Sequence, residues 1–451
     1  MADRLAATGI LLVGGASERF GSPKALARLR GETLAERAWH VLGEACDEVI
    51  AVGKERDELE LPFPVLDDGS GERAPIFGVI AGLRAASYDE CVVLPVDCPL
   101  VTPELLRELV ASGGVPPTGP LPGAYAKAVL PDLEARVAAG ELSLRGVNPT
   151  VLQVDERLLA NVNTPMDLIE VAVAEWAQKR DDVRAAMVVG SRARRDMPAD
   201  RWSDLDIGLL LDDPTVLAED AGWVAEFGRP VLTFLEEAAV SEAVERRVLY
   251  EGGDDVDFVL LPASAWRELA SSSGARVLLS RGYRMLHDEL GVEAELGEVA
   301  PPEPSSAPDQ AAFTELGSDF WFHALWAARK LRRGEVLTAL GCLDRLLLSN
   351  LVTLLRWHAL SLDPSVDTWH GTRFVERWAD PGALAEFETA VPGYGVRDVA
   401  RGLWATIDLY QGLEEETARR LGLEVELDHA GLRRRISEVV RDPRPGATLW
   451  P

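Results

Sequence analysis

Between Val188 and Leu211 the chain reads VVGSRARRDMPADRWSDLDIGLLL. An apolar run delivers Gly190 and Ser191 into a turn, and Asp204 and Asp206 then open a second apolar run that continues through Ile207, Leu209 and Leu210. Carboxylates at i and i+2 of a strand project from the same face. Charge among apolar neighbours is costly to bury alone, so this placement points to a ligand rather than to a solvated turn. Paired hard oxygen ligands suit Mg2+, and beside a phosphate chain held by the Gly-Ser turn they suit nucleotidyl transfer. A third acid, Asp257, sits between Val256 and Phe258 in the further apolar run DDVDFVLL.

A second constellation lies near the start, in ILLVGGASERFGSPKAL from Ile10 to Leu26. Its apolar residues predict a first strand. The loop that follows carries Gly14, Gly15 and Gly21 with Ser17, Arg19 and Lys24 interleaved. Backbone amides exposed at glycine can wrap a triphosphate, and Arg19 and Lys24 can neutralise its charge. The loop lacks the Gly-x-x-x-x-Gly-Lys-Ser/Thr run of a Walker A motif, and a plain strand-to-helix connection explains it equally well. Three signals follow in order: GVIAGL at Gly78 to Leu83, VVLPVDCPLV with Asp97, and NVNTPMDL with Asn163 and Asp167. Asp97 is expected at the carboxyl end of a parallel strand, where α/β sheets put ligands.

The elements that must carry these residues divide the chain into three. At 451 residues the length suits roughly three domains. A helix predicted from Met166 to Lys179 ends in the charged KRDD and joins a first domain, 1–180, to VRAAMVVG, which opens a second, 181–300. The segment APPEPSSAPDQ, Ala300 to Gln310, cannot continue a helix or strand and separates off a third region, 311–440. There FWFHALWAARKL and LDRLLLSNLVTLLRWHAL are apolar at helical intervals, which predicts a helical bundle.

Composition narrows the partners. A formal net charge of −28 argues against nucleic acid, which needs a basic surface; it suits a cationic small molecule, or a generally solvating surface. Cys46, Cys91, Cys98 and Cys342 have no Cys-x-x-Cys spacing, which predicts buried reduced thiols in a cytoplasmic protein. His323, His358 and His370 fall in Trp-rich helical context and are expected to pack in a core. No apolar run of membrane-spanning length and no cleavable signal is read, so no membrane partner is expected.

The motif set GSRA, SDLDI and VDF resembles the DNA polymerase β-type nucleotidyltransferase superfamily. The Trp202-Ser203 lead-in, FGRP at Phe227 to Pro230, and RGYRMLHDELG, FWFHALWAARKLRRGE, LLRWHAL, DTWHGTRFVERWAD and ATIDLYQGLEEETARRLG make residues 183–440 similar to the aminoglycoside 6-adenylyltransferases, the streptomycin-modifying group. The resemblance implies an α+β nucleotidyltransferase domain followed by the helical bundle. It implies that Gly190 and Ser191 bind the triphosphate, that Asp204 and Asp206 bridge one or two Mg2+, and that Asp257 binds metal or helps to deprotonate the acceptor. Arg192 is a further candidate for phosphate contact. AMP from ATP would pass to a hydroxyl of a small molecule such as an aminoglycoside, held between the second and third domains, with Glu335 a candidate for the acceptor's amino groups or as base.

The first constellation and its three following signals resemble the molybdenum cofactor guanylyltransferase family and its relatives among the Rossmann-like NTP transferases, over residues 7–175. That resemblance implies an α/β Rossmann-like domain in which Gly14, Gly15, Ser17, Arg19 and Lys24 hold the phosphates of an NTP such as GTP and Asp97 binds Mg2+. The stretch LRELVASGGVPPTGPLPGAYAKAVL departs from the family: it is compressed and poor in strand formers where family members position their acceptor, so molybdopterin is not carried over. Three readings stay open: adenylylation of a small molecule by the second domain, guanylyl or cytidylyl transfer to a cofactor precursor by the first, or one transferase fold kept as a nucleotide-binding scaffold for the other.

Overall fold

The structure, a computed structural model, describes the chain except for residues 1–3, 15–19, 21, 198, 238–242, 298–305, 369–371 and 442–451. It divides into two compact units, residues 1–302 and 303–451. Among the described residues the first unit holds two large sheets and a small antiparallel ribbon of Arg28–Leu29 with Glu32–Thr33. In the N-terminal one, β1 (Leu5–Leu12), β2 (Cys46–Gly53), β3 (Val65–Asp67), β4 (Glu90–Pro95) and β5 (Gly123–Ala126) lie in the order β3-β2-β1-β4-β5. The first four are parallel and β5 closes the edge antiparallel to β4. Helices α1 (Leu34–Ala45), α2 (Pro75–Ala85), α3 (Pro103–Ser112) and α4 (Leu130–Ala138) provide the crossovers and cover. GVIAGL forms most of α2. A Cβ at Gly78 would come 2.8 Å from Leu12 Cδ2 and one at Gly82 2.5 Å from Ile10 Cγ2, so both glycines let the helix lie directly on β1. The stretch poor in strand formers yields only the four residues of β5.

The second sheet comprises β6 (Val183–Val189), β7 (Leu205–Leu211), β8 (Pro230–Glu237), β9 (Val244–Tyr250), β10 (Asp255–Pro262) and β11 (Arg284–Asp288), in the order β8-β9-β10-β7-β6-β11. Only β10 and β7 pair in parallel. Leu205, Ile207 and Leu209 of β7 are fully buried in one cluster, and Leu210 on the opposite face is buried in another, so from Ile207 on the strand is covered on both sides.

Between the two sheets runs α5 (Pro165–Gln178), started by a capping box in which Thr164 and Asp167 exchange hydrogen bonds. It buries residues on every side, among them Met166, Ile169, Val173 and Trp176, as a helix enclosed by protein must. Trp176 stacks on Trp223 at 5.5 Å and meets Phe227 edge-on at 5.4 Å. One hydrophobic cluster therefore extends from Ala7 and Leu11 through α1, α3 and α5 to Leu205, Ile207 and Phe258.

In the second unit every described element is helical, the longest being α6 (Gln310–Arg332), α7 (Val336–Arg345), α8 (Val352–Leu362), α9 (Pro381–Ala390), α10 (Val396–Leu421) and α11 (His429–Arg441). A π-helical turn, Leu346–Leu351, makes α7 and α8 one continuous stretch. Val336–Leu362 is long and apolar enough to cross a membrane by length and composition, which corrects the expectation that no such run exists. The adjacent charges of Asp344 and Arg345 interrupt the run without outweighing its leucines. Its Leu343, Leu346, Leu351, Leu354 and Leu355 are buried in the core of this unit.

Candidate active sites

Asp204 ends the loop before β7 and Asp206 lies two residues on, both half-buried, while Leu205 between them points into the core. Asp257 joins them through the parallel pairing of β10 with β7, which sets Asp257 opposite Asp206. One ligand atom from each of the three carboxylates lies within 4.8 Å of the others. Asp257 is 2% exposed. Its Oδ2 faces Arg247 Nη1 at 2.9 Å, and its Oδ1 is buried with no hydrogen-bond partner. Burial pushes its carboxyl up to about 8 against the pull of Arg247, with Glu245 adding to the rise. Asp255 is likewise raised, by burial first and by Asp204 second. Acids packed this closely repel each other and fit a divalent cation with oxygen ligands.

The Gly-Ser turn stands over this cluster. Gly190–Arg192 forms a single 3-10 turn at the end of β6, and Val189 pairs with Asp206 across β6 and β7. Gly190 adopts φ +67, and a Cβ there would place Asp206 Cγ 2.8 Å away. Ser191 Oγ donates to the Asp204 carbonyl at 3.3 Å. The side chain of Arg192 is 11% exposed and lies 3.9 Å from Asp167 Oδ1.

In the N-terminal sheet, Asp97 lies in the turn after β4 and Gly14 just beyond β1, both at carboxyl ends of parallel strands. Lys24 Nζ donates to Asn163 Oδ1 at 2.8 Å and pairs with Asp97 Oδ2 at 3.2 Å. The Val162 amide donates to the Asp97 carbonyl at 2.8 Å, tying the NVNTP segment to that turn. Gly14, Lys24 and Asp97 line a cavity of about 330 Å3 together with Lys54, Asp68 and Arg73. At Gly14 an added Cβ would stand 3.5 Å from Gly53 Cα, an ordinary contact, so packing alone does not require glycine there. Gly15, Ser17 and Arg19 lie outside the described residues.

A family model described as streptomycin adenylyltransferase matches residues 165–437. The chain belongs to the streptomycin adenylyltransferase family. A second model, a MobA-like NTP transferase domain, matches residues 9–145. A probable molybdenum cofactor guanylyltransferase of Pelotomaculum thermopropionicum is 32% identical over 191 residues, 38% of this chain and 93% of that protein, so the N-terminal part belongs to that family. An aminoglycoside 6-adenylyltransferase of Bacillus subtilis is 21% identical over 249 residues, 52% of this chain and 84% of that protein. The crystal structure of an aminoglycoside 6-adenyltransferase from Bacillus subtilis covers 61% of this chain and 98% of its own, at 15% identity and a TM-score of 0.30. Both parts being nucleotidyltransferases, this streptomycin adenylyltransferase family member is a nucleotidyltransferase that takes NTP substrates.

Several residues around these sites escape a reading of motifs. Arg247 reaches Asp257 because β9 and β10 pair in antiparallel register with those two residues opposite. Lys54 and Asp68 form a buried ion pair on the cavity wall, 6% and 8% exposed, with Lys54 Nζ also donating to the Ser70 carbonyl at 2.9 Å. The one sequence signal for Lys54 is its place directly after Gly53, at the carboxyl end of β2. In the helical unit, Glu335 pairs with Lys330 at 2.8 Å and Arg333 at 2.6 Å, and its hydrogen bond from Lys330, with help from Arg333, holds its carboxyl below the ordinary value. His358 is buried and His323 partly so, whereas His370 lies outside the described residues. The four cysteines are free and buried, and burial pushes their thiols up to about 11 or 12.

Proposed function

We propose that the second domain is the catalytic one and transfers AMP from ATP to a hydroxyl of a cationic small molecule, in the manner of an aminoglycoside adenylyltransferase. The observation that carries this reading is the convergence of Asp204, Asp206 and Asp257 beneath the Gly190-Ser191 turn. Asp257 Oδ1, buried without a partner, and the close spacing of the three acids fit Mg2+. Bound there, Mg2+ would supply Lewis-acid neutralisation of the phosphate charge. The turn's N–H groups hold the triphosphate and orient its α-phosphorus. The acceptor oxygen bonds to that phosphorus in line as the bond to the leaving pyrophosphate breaks, and the acceptor's proton passes to a carboxylate of the cluster. The helical unit, read as a bundle, takes the acceptor, and the chain's net charge of −28 favours a polycation.

The N-terminal domain is read as a second NTP site, with Lys24 on the phosphates and Asp97 as a further Mg2+ ligand. The cavity beside these two residues supports this reading. Incubation of the full chain with Mg2+, each NTP in turn, and either streptomycin or molybdopterin, followed by mass spectrometry of the acceptor, separates the alternatives. An adenylyl mass gain on the aminoglycoside, lost in Asp206→Asn, is expected. A guanylyl gain on molybdopterin alone would transfer the catalytic role to the first domain.

A further inference from the structure

The two candidate nucleotide sites are joined by one short polar relay through the start of α5. Asp167 Oδ2 accepts from the backbone N–H groups of Asn163, at 2.7 Å, and Thr164, at 2.8 Å. It thereby fixes the segment whose Asn163 side chain holds Lys24 of the first site. The other oxygen of the same carboxylate lies 3.9 Å from Arg192 Nη1, on the phosphate turn of the second site. One helical turn further along, Glu170 pairs with Arg284, whose Nη1 donates to the Arg192 carbonyl at 3.4 Å. The same face of α5 therefore grips the Gly190–Arg192 turn by its side chain and by its backbone.

The geometry points to Asp167 as a positioning residue shared by both sites, through which a triphosphate bound at one weakens the grip of the other. This rests on reading both as nucleotide sites. A triphosphate in the first site draws Lys24 away from Asn163 and Asp97. The negative charge around Asp167 is then less compensated and holds Arg192 more firmly, away from phosphate at the second site. Phosphate at the second site acts in reverse by taking Arg192 from Asp167. The separation of 3.9 Å, longer than a hydrogen bond, leaves that pair free to exchange.

Calorimetry on the full chain tests this, with Mg·ATP and Mg·GTP each titrated alone and against a saturating amount of the other. Lys24→Ala and Asp206→Asn assign each binding heat to its site. Occupancy of either site is expected to weaken the other by about fivefold or more, with the same factor in both directions, as linkage requires. Asp167→Asn keeps a carbonyl to accept from Asn163 and Thr164 but offers Arg192 no charge, so the factor should fall to near one with the melting temperature unchanged. Arg192→Gln should also remove the coupling, and it serves if Asp167→Asn does not fold. Two sites that saturate independently in the wild type, or coupling that survives both variants, would overturn this inference while leaving the proposed function standing. A single saturable site lost in Asp206→Asn would do the same, whereas a single site lost only in Lys24→Ala would overturn both.

Discussion

Gly190 and Asp206 approach each other so closely that no side chain fits between them. The glycine turns through φ +67, and the space its Cβ would fill is taken by the Asp206 carboxylate. The Gly190 turn and the strand that carries Asp206 are thus in direct contact, held by the pairing of β6 with β7. Gly190→Ala should abolish nucleotidyl transfer by the second domain. It should also destabilise the fold by about 1–2 kcal/mol from the left-handed backbone alone, with more from displacing Asp206. A transfer assay beside a chemical melt checks this, and an alanine variant with near wild-type turnover would remove the turn from the site.

Asp204→Asn and Asp206→Asn should each eliminate transfer while leaving circular dichroism unchanged. Because each removes one of several crowded like charges, the metal-free melting temperature should hold or rise. A clear fall in metal-free stability would assign these acids a structural task instead.

The two lysines of the N-terminal cavity should behave differently. Lys24 is partly exposed and pairs with Asp97 and Asn163, so Lys24→Ala should weaken NTP binding by about 1.5–3 kcal/mol, the range for hydrogen bonds to charged groups, with little change in stability. Lys54 belongs to a buried pair, and Lys54→Ala, which strands Asp68, should cost about 3–5 kcal/mol of stability. Calorimetry and urea denaturation read the two effects separately; equal stability losses in both variants would contradict the distinction.

In the helical unit, Glu414 is 2% exposed and its Oε2 lies 2.8 Å from His429 Nε2. Burial raises its carboxyl above the ordinary 4.5, against the pull of His429. An acid raised in the folded state contributes stability that is fully present below its unfolded value and is lost as pH climbs through the folded one. The melting temperature of Glu414→Gln relative to wild type should therefore increase as pH rises from about 4.5. A difference that stays flat with pH would show that His429 fully compensates the buried charge.

The sequence carried the local relations. Asp204 and Asp206 share a strand face because strand periodicity is two, and the apolar residues that alternate with them declare which face is core. Likewise Gly78 and Gly82, one helical turn apart, announce a helix packed close to a neighbour.

Tertiary structure decided what depends on register and on distant partners. Asp257 meets Asp206 only because β10 pairs in parallel with β7 at one particular offset, and a slip of one residue would turn it to the other face. Arg247 reaches Asp257 through a second such register. A sequence divided at its charged KRDD reads α5 as the closing helix of one domain. In the fold that helix is buried nearly all round, because it packs on β6 and β11 of the second sheet and shares one hydrophobic cluster with α1 and α3, which cover the first. Its first turn then brings Asp167 between Asn163 and Arg192, a meeting that no spacing in the chain encodes.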